Sequence, residues 1–253
     1  MSNAISQLKP QVLWSHFSQL NSIPRPSKKE DRVKAWIIGL GEALGLETNQ
    51  DEVGNVLIRK PATLGMENRV GVVLQSHLDM VCQKNNETVF DFENEGIRMH
   101  IAGDWVRADG TTLGADNGIG VAAILGVLAS KDIPHPSLEA LFTIDEETGM
   151  TGALGLKGGF LKGKILLNLD TEDDDELSIG CAGGVDVTSS GSYDKESIVG
   201  NVKHLQLTIK GGSGGHSGMD IQKGLANVNK VMNRILLIAI ESIDFRIASI
   251  RGG

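Results

Sequence analysis

Aromatic side chains are scarce. They make up 4% of the 253 residues, and Tyr193 is the only tyrosine. Proteins that grip nucleic acid set aromatics among basic residues, and no such run is present. Positive charge is also short: 24 Lys and Arg stand against 32 Asp and Glu, giving a formal charge of −8 and a pI of about 5.3. That balance argues against nucleic acid or a membrane surface as a partner. Cysteine is nearly absent. Cys82 and Cys181 lie in unrelated contexts without a CxxC spacing, so no disulfide framework is implied and a reducing cytoplasm fits. Long apolar runs are missing too. The most apolar late stretch, 235–240, is far too short to cross a bilayer. The opening MSNAISQLKPQVLW has neither a basic n-region nor an apolar h-region, so no signal peptide is expected and the expected location is cytoplasmic.

What is present suits a soluble globular protein. Hydrophobic residues make up 40% and charged residues 22%, enough for a sizeable core in one large or two modest domains. The 32 glycines cluster beside acidic motifs, where tight turns are needed.

Val12, Leu13, Phe17 and Leu20 have helical spacing and predict a helix over 10–21, broken by SIPRPS. Ser27, with Glu30 three residues on, reads as the capping box of a second helix. Val33, Trp36, Ile37, Leu40 and Leu44 would line its buried face, and Gly45 would stop it. Strands are expected over 46–48 and 55–59 around the turn 51–54, and over 70–75 as a buried parallel strand. A hairpin excursion is expected over 90–108. A helix is expected over 116–130, with Ile119, Ala122, Ala123, Leu125 and Leu128 facing inward. A strand then leads into 145–147, a short helix covers 151–156, and a buried strand covers 165–169. Alternating strands and helices imply an α/β layer with a mostly parallel sheet flanked by helices. Composition shifts near Val185. The chain therefore divides into 1–185 and a second domain over 186–253. The second reads as strand 205–209, helix 228–240 and strand 245–250, too little to bury a core alone. A truncated second domain is the expectation.

Four apolar segments each end on a metal-ligand residue type. LFTIDEETGM leads into Asp145, Glu146 and Glu147; GVVLQSHLDM presents His77 and Asp79; TLGADNGIG sets Asp116 at a helix mouth; KILLNLD ends on Asp170. Taken singly, each has a plain explanation: a solvated acidic turn, a His capped by an Asp, an N-cap, a polar loop. Adjacent carboxylates at the end of an apolar strand nevertheless need a counter-charge, and fourfold recurrence points to one shared cationic centre. In a strand, His77 and Asp79 face the same side, so Asp79 can hold the second imidazole N–H. One of the Glu146–Glu147 pair can coordinate while the other meets an attacking water as general base. Glu172 or Asp173 in the following run is a weaker candidate for meeting a substrate ammonium. His216, in GGSGGHSG, is either a mobile loop residue or a substrate clamp. His16, His100, His135 and His204 have no ligand-like context.

In order and spacing, SHLDM, LGADNGIG, IDEETGM and NLDTE resemble the two-zinc metallopeptidases that include aminoacylases, carboxypeptidase-type exopeptidases and carnosinases. The resemblance implies a zinc-exopeptidase-like catalytic domain with the start of an α+β lid domain. It implies two zinc ions, with cobalt or manganese as alternatives, held by His77, Asp116 as the bridge, Glu147 and Asp170. Asp79 would orient His77, Glu146 would be general base and acid, and His216 would bind the substrate carbonyl. It further implies hydrolysis of unblocked dipeptides of the aminoacyl-histidine type and a homodimer through the lid. The alternatives are an N-acyl amino acid deacylase or a non-catalytic binding relative. The family's last ligand is a His near the end of a chain roughly twice as long, a two-domain size. No residue here matches it, so the segment alone is expected to bind metal poorly.

Overall fold

A computed structural model of the chain describes residues 4–171, 175–180, 183, 185, 187–215 and 220–252. The chain divides into two compact units, Met1–Glu176 and Leu177–Gly253. The compositional shift near Val185 lies inside the second.

The first unit opens with α1 (Gln11–Leu20) and α2 (Asp31–Ala43), which bury Phe17 and Leu20, and Val33 and Ile37. Next come β1 (Glu47–Gln50), β2 (Val56–Lys60) and β3 (Val72–His77). A separate hairpin follows, β4 (Met99–Ala102) with β5 (Trp105–Ala108), and then α3 (Ala115–Ala129). The unit continues with β6 (Leu138–Thr143), the short helices α4 (Glu146–Gly149) and α5 (Thr151–Gly155), and β7 (Ile165–Asn168).

The main sheet runs β1-β2-β6-β3-β7. It is an α/β sheet flanked by helices, as expected, but mixed in direction. β3 is parallel to β6 and to β7, whereas β2 is antiparallel to both β6 and β1. Period-two alternation sorts its side chains. Val56, Ile58, Leu74, Ala140 and Phe142 pack with Leu20, Val33, Ile37 and Val121, Ile124, Leu125 and Leu128 from the three helices. Leu57, Val73 and Leu141 face the other way, toward Leu156, Phe160 and Leu161. Both faces of the central strands are therefore covered, which explains their near-continuous apolar sequence.

Four local expectations differ. The first is Leu44, which lies just past α2 and is 41% exposed rather than on its buried face. Ser27 does not cap α2: Glu30 occupies the N-cap position without a side-chain cap, and the Ser27 hydroxyl donates to Asp79 Oδ2 at 2.8 Å. Glu30 Oε1 instead accepts the backbone N–H groups of Lys28 and Asp145, at 2.9 and 3.0 Å. A tertiary acceptor has displaced a local motif. In α3, Val121 and Ile124 are buried in place of Ile119 and Ala123, because an almost wholly apolar helix has no distinct face to read. β7 is not a buried strand. Among the described residues it is an outer strand beside β3, and Ile165, Leu166 and Leu167 are 45%, 54% and 49% exposed.

The second unit contains α6 (Val228–Ile240), capped by Asn227 Oδ1 accepting from the Lys230 N–H at 3.0 Å. The strands expected over 205–209 and 245–250 are absent among the described residues. A strand exists only when its backbone groups find a ladder partner, and alternation alone does not supply one. No helix of the described residues is long and apolar enough to cross a membrane.

Candidate metal centre

Sheet register brings the site together. His77, the last residue of β3, pairs with Thr143, the last residue of β6, so the chain leaving β6 delivers Asp145, Glu146 and Glu147 beside it. On the other side Gln75 pairs with Asn168 of β7, and Asp170 follows two residues on. The carboxyl ends of parallel strands thus open onto one crevice, the usual place for a ligand in such sheets. Asp116 enters from the start of α3. There the N-cap position is held by Gly114 rather than by Asp116, and the backbone of Asp116 and Asn117, whose shared peptide bond is cis, is non-helical.

His77 is 1% exposed. Its Nε2 lies 2.9 Å from Asp116 Oδ1, 3.8 Å from Asp170 Oδ1 and 4.0 Å from Glu146 Oε2. Its Nδ1 lies 3.2 Å from the Asp79 carbonyl and 3.3 Å from Asp79 Oδ1. Asp79 is fully buried and uses its two oxygens separately. Oδ1 accepts the N–H of Glu146 at 3.0 Å, and Oδ2 accepts the N–H of Glu147 at 3.1 Å along with the Ser27 hydroxyl.

Two groupings of possible metal ligands share His77: one adds Asp116 and Asp170, the other Glu146 and Glu147, with ligand atoms in each within 4.8 Å of one another. The structure therefore gathers His77, Asp79, Asp116, Glu146, Glu147 and Asp170, and both glutamates stand at ligand range. His216 lies outside the described residues, as do Glu172 and Asp173. Of the histidines read as unrelated to the site, His100 pairs with Asp109 on the hairpin at 2.6 Å.

The electrostatics are those of crowded acids. Burial pushes the Glu147 carboxyl up to about 7, and the Asp116 charge pushes the same way. Burial raises Glu146 and Asp170 as well, with neighbouring carboxylates adding to the shift. Burial alone would lower His77, but hydrogen bonds with Asp116 and Asp79 outweigh it and bring the imidazole up to about 10. Asp79 is the exception among the acids. Burial works against its charge, yet hydrogen bonds from His77, the Glu146 N–H and Ser27 hold it down to about 2. Carboxylates whose charged forms are disfavoured by burial and by one another, set around an imidazole, fit divalent cations in both donor type and charge.

Four contributors escaped the sequence reading. Arg25 is the largest fully buried side chain, and SIPRPS signalled only a helix break. Glu30 holds the Asp145 N–H. Asp145 itself, read with the acidic turn, is 2% exposed with φ of +48°, its carboxylate taken by the hydroxyls of Thr148 and Thr151. Gly120 lets α3 approach the sheet: a Cβ there would lie 2.1 Å from Asn117 Oδ1, 2.5 Å from Ser76 Oγ and 2.6 Å from the Leu169 carbonyl.

A helix-flanked sheet that collects an imidazole and acidic side chains at the carboxyl ends of its strands defines an α/β protein with a candidate metal centre. Comparison with known proteins gives the particular kind. The chain is 50% identical over 249 residues to the cytosol non-specific dipeptidase of Escherichia coli K12, covering 98% of this chain and 51% of the relative. It superposes on the crystal structure of aminoacylhistidine dipeptidase from Vibrio alginolyticus with a TM-score of 0.71 at 47% identity, over 94% of this chain and 49% of that one. A tripeptidase from Staphylococcus aureus shares the fold at 26% identity and a TM-score of 0.56, over 66% and 45% of the two chains. No family model matches. The chain is thus similar to bacterial dipeptidases, and it spans about half the length of the first curated relative it matches.

Proposed function

We propose that the protein of which this chain forms part is a dinuclear metal-dependent dipeptidase, hydrolysing the peptide bond of unblocked dipeptides of the aminoacyl-histidine type. The observation that carries this reading is that His77 stands at ligand distance from two acidic groups, Asp116 with Asp170 and Glu146 with Glu147. Similarity to a non-specific dipeptidase and to an aminoacylhistidine dipeptidase supports the substrate class.

In this reading His77, Asp116, Glu147 and Asp170 would hold two divalent cations. Mixed imidazole and carboxylate donors suit zinc, with cobalt or manganese as alternatives. Bound cations of this kind supply Lewis acidity and lower the pKa of water. The chain's own residues do the rest. Asp79 fixes the orientation of His77 and, by holding the Glu146 N–H, the direction of the Glu146 side chain. Glu146 accepts a proton from the attacking water and returns it to the leaving amine, the role that its burial-raised pKa favours. His216 is assigned to the substrate carbonyl by sequence resemblance, with a homodimer through the second domain as part of the same proposal.

The test is a Glu146→Gln variant of the full-length gene product, assayed for zinc content and for hydrolysis of β-alanyl-histidine and of an N-acyl amino acid. The expected result is retained zinc with turnover of the dipeptide reduced by about 10²–10⁴. Near-normal turnover in the variant would overturn the assignment of Glu146. Preference of the unmodified enzyme for the acylated substrate would replace dipeptidase by deacylase.

A further inference from the structure

The segment 21–27 bonds to the turn that carries Asp79, and one of its residues is unusual. Arg25 is 1% exposed, and a buried guanidinium is expensive unless its N–H groups are satisfied. Here the acceptors are mostly backbone carbonyls from distant parts of the chain. Nη1 donates to the carbonyls of Leu78 at 3.0 Å and Asp79 at 2.9 Å; Nη2 donates to the Gly114 carbonyl at 2.6 Å and to Asn21 Oδ1 at 3.1 Å. The first two carbonyls belong to the turn that carries His77 and Asp79, and the third lies two residues before Asp116.

The surrounding chain is shaped to admit the guanidinium. A Cβ on Gly114 would stand 2.4 Å from Arg25 Nη2, and one on Gly118 would stand 2.8 Å from the same atom. Asn21 and Ser27 extend the grip on the same two segments. Asn21 Nδ2 donates to the Leu113 carbonyl at 2.9 Å, and Ser27 Oγ donates to Asp79 Oδ2 at 2.8 Å. Pro26 forms a parallel bridge with Met80.

We propose that Arg25 is a positioning residue of the cation site: its planar fork locks the 77–79 turn to the 113–116 segment, so that His77 and Asp116 are presented to the same cations. The inference rests on the metal-dependent reading above. Arg25 acts through the backbone behind the ligands; it sets the separation of two ligands that lie 39 residues apart in the chain. A lysine in its place keeps the charge but is a single ammonium without the fork, and it cannot span both segments in the same way.

The experiment uses the full-length gene product with Arg25→Lys and Asn21→Ala variants. Zinc affinity is measured by competition with a chromophoric chelator, and folding by circular dichroism and thermal melting without added metal. The expected result is a folded Arg25→Lys protein whose zinc affinity is lower by about tenfold or more, the usual range for groups that orient ligands from behind. Asn21→Ala, which frees one arm of the guanidinium, should show a smaller loss in the same direction. A lowered melting temperature with unchanged zinc affinity in Arg25→Lys would make Arg25 purely structural and overturn the proposal. If Arg25→Lys does not fold, unchanged affinity in Asn21→Ala overturns it instead. Failure of the unmodified protein to bind zinc is a separate outcome: it removes the metal-dependent reading itself, and this inference with it.

Discussion

Asp79 holds the backbone of Glu146: its Oδ1 accepts the Glu146 N–H at 3.0 Å while the same carboxylate stands 3.3 Å from His77 Nδ1. One buried side chain therefore joins the end of β3 to the turn after β6. Replacing it by Asn puts an amide N–H₂ where two of the four groups facing the carboxylate, the Glu146 and Glu147 N–H, the Ser27 hydroxyl and His77 Nδ1, now point. Asp79→Asn should destabilise the protein by about 2–3 kcal/mol, the range for hydrogen bonds to a charged group, measured by urea denaturation without metal. The pH sense follows from the depressed value of about 2. Against an unfolded carboxyl near 3.9, the contribution is fully present above that pH and is lost as pH falls through about 2. The variant's acid unfolding should lack that component.

Cation binding should release protons. In the cation-free protein His77 is held protonated up to about 10 and Glu147 up to about 7, yet ligands bind in their deprotonated forms. Affinity should therefore rise with pH across the neutral range. Titration calorimetry at pH 8 in buffers of different ionisation enthalpy should report on the order of one proton released, from His77. A heat independent of the buffer would contradict this charge state.

Gly120→Ala should disturb the fold and the site together. The added methyl group would meet Asn117 Oδ1, Ser76 Oγ and the Leu169 carbonyl at 2.1, 2.5 and 2.6 Å. The last of these is backbone, immediately before Asp170. Overpacking of this sort costs about 1–3 kcal/mol, and zinc affinity should fall as Asp170 shifts. Unchanged stability by chemical denaturation would show that α3 can retreat freely.

Glu139 provides a control at the opposite end of β6. Its carboxylate accepts from Arg59 Nε at 2.8 Å and from the N–H groups of Lys162 and Gly163, both at 2.7 Å. Burial opposes its charge, but these hydrogen bonds prevail and hold it below the ordinary glutamate range. Its contribution is thus present above the unfolded value and lost as pH falls through the folded one. Glu139→Gln should cost about 1–3 kcal/mol in denaturation and leave zinc affinity unchanged. A parallel loss of affinity would mean that the two ends of the sheet are coupled.

The side-chain types gathered at the candidate site, and much of the local structure, were legible in the chain alone. Apolar runs read as β3 and β6 because strands buried on both faces must be apolar throughout. The residues ending them, His77 and Asp145 to Glu147, stood out because charge at such a place needs a reason. Asp116 and Asp170 were legible in the same way. Tertiary structure alone decided the partnerships. Ser27 and Glu30 made a sound capping box on paper, but Asp79 and the Asp145 N–H offered them better partners in the folded chain. Arg25 carried no periodic signal, since its role is to satisfy carbonyls 53 and 89 residues away. The antiparallel course of β2 beside β6 and the exposure of β7 were likewise settled by which strands lie side by side. Side-chain type and spacing are local properties carried by the chain, whereas a hydrogen-bond partner is chosen only when distant segments compete for the same donors and acceptors.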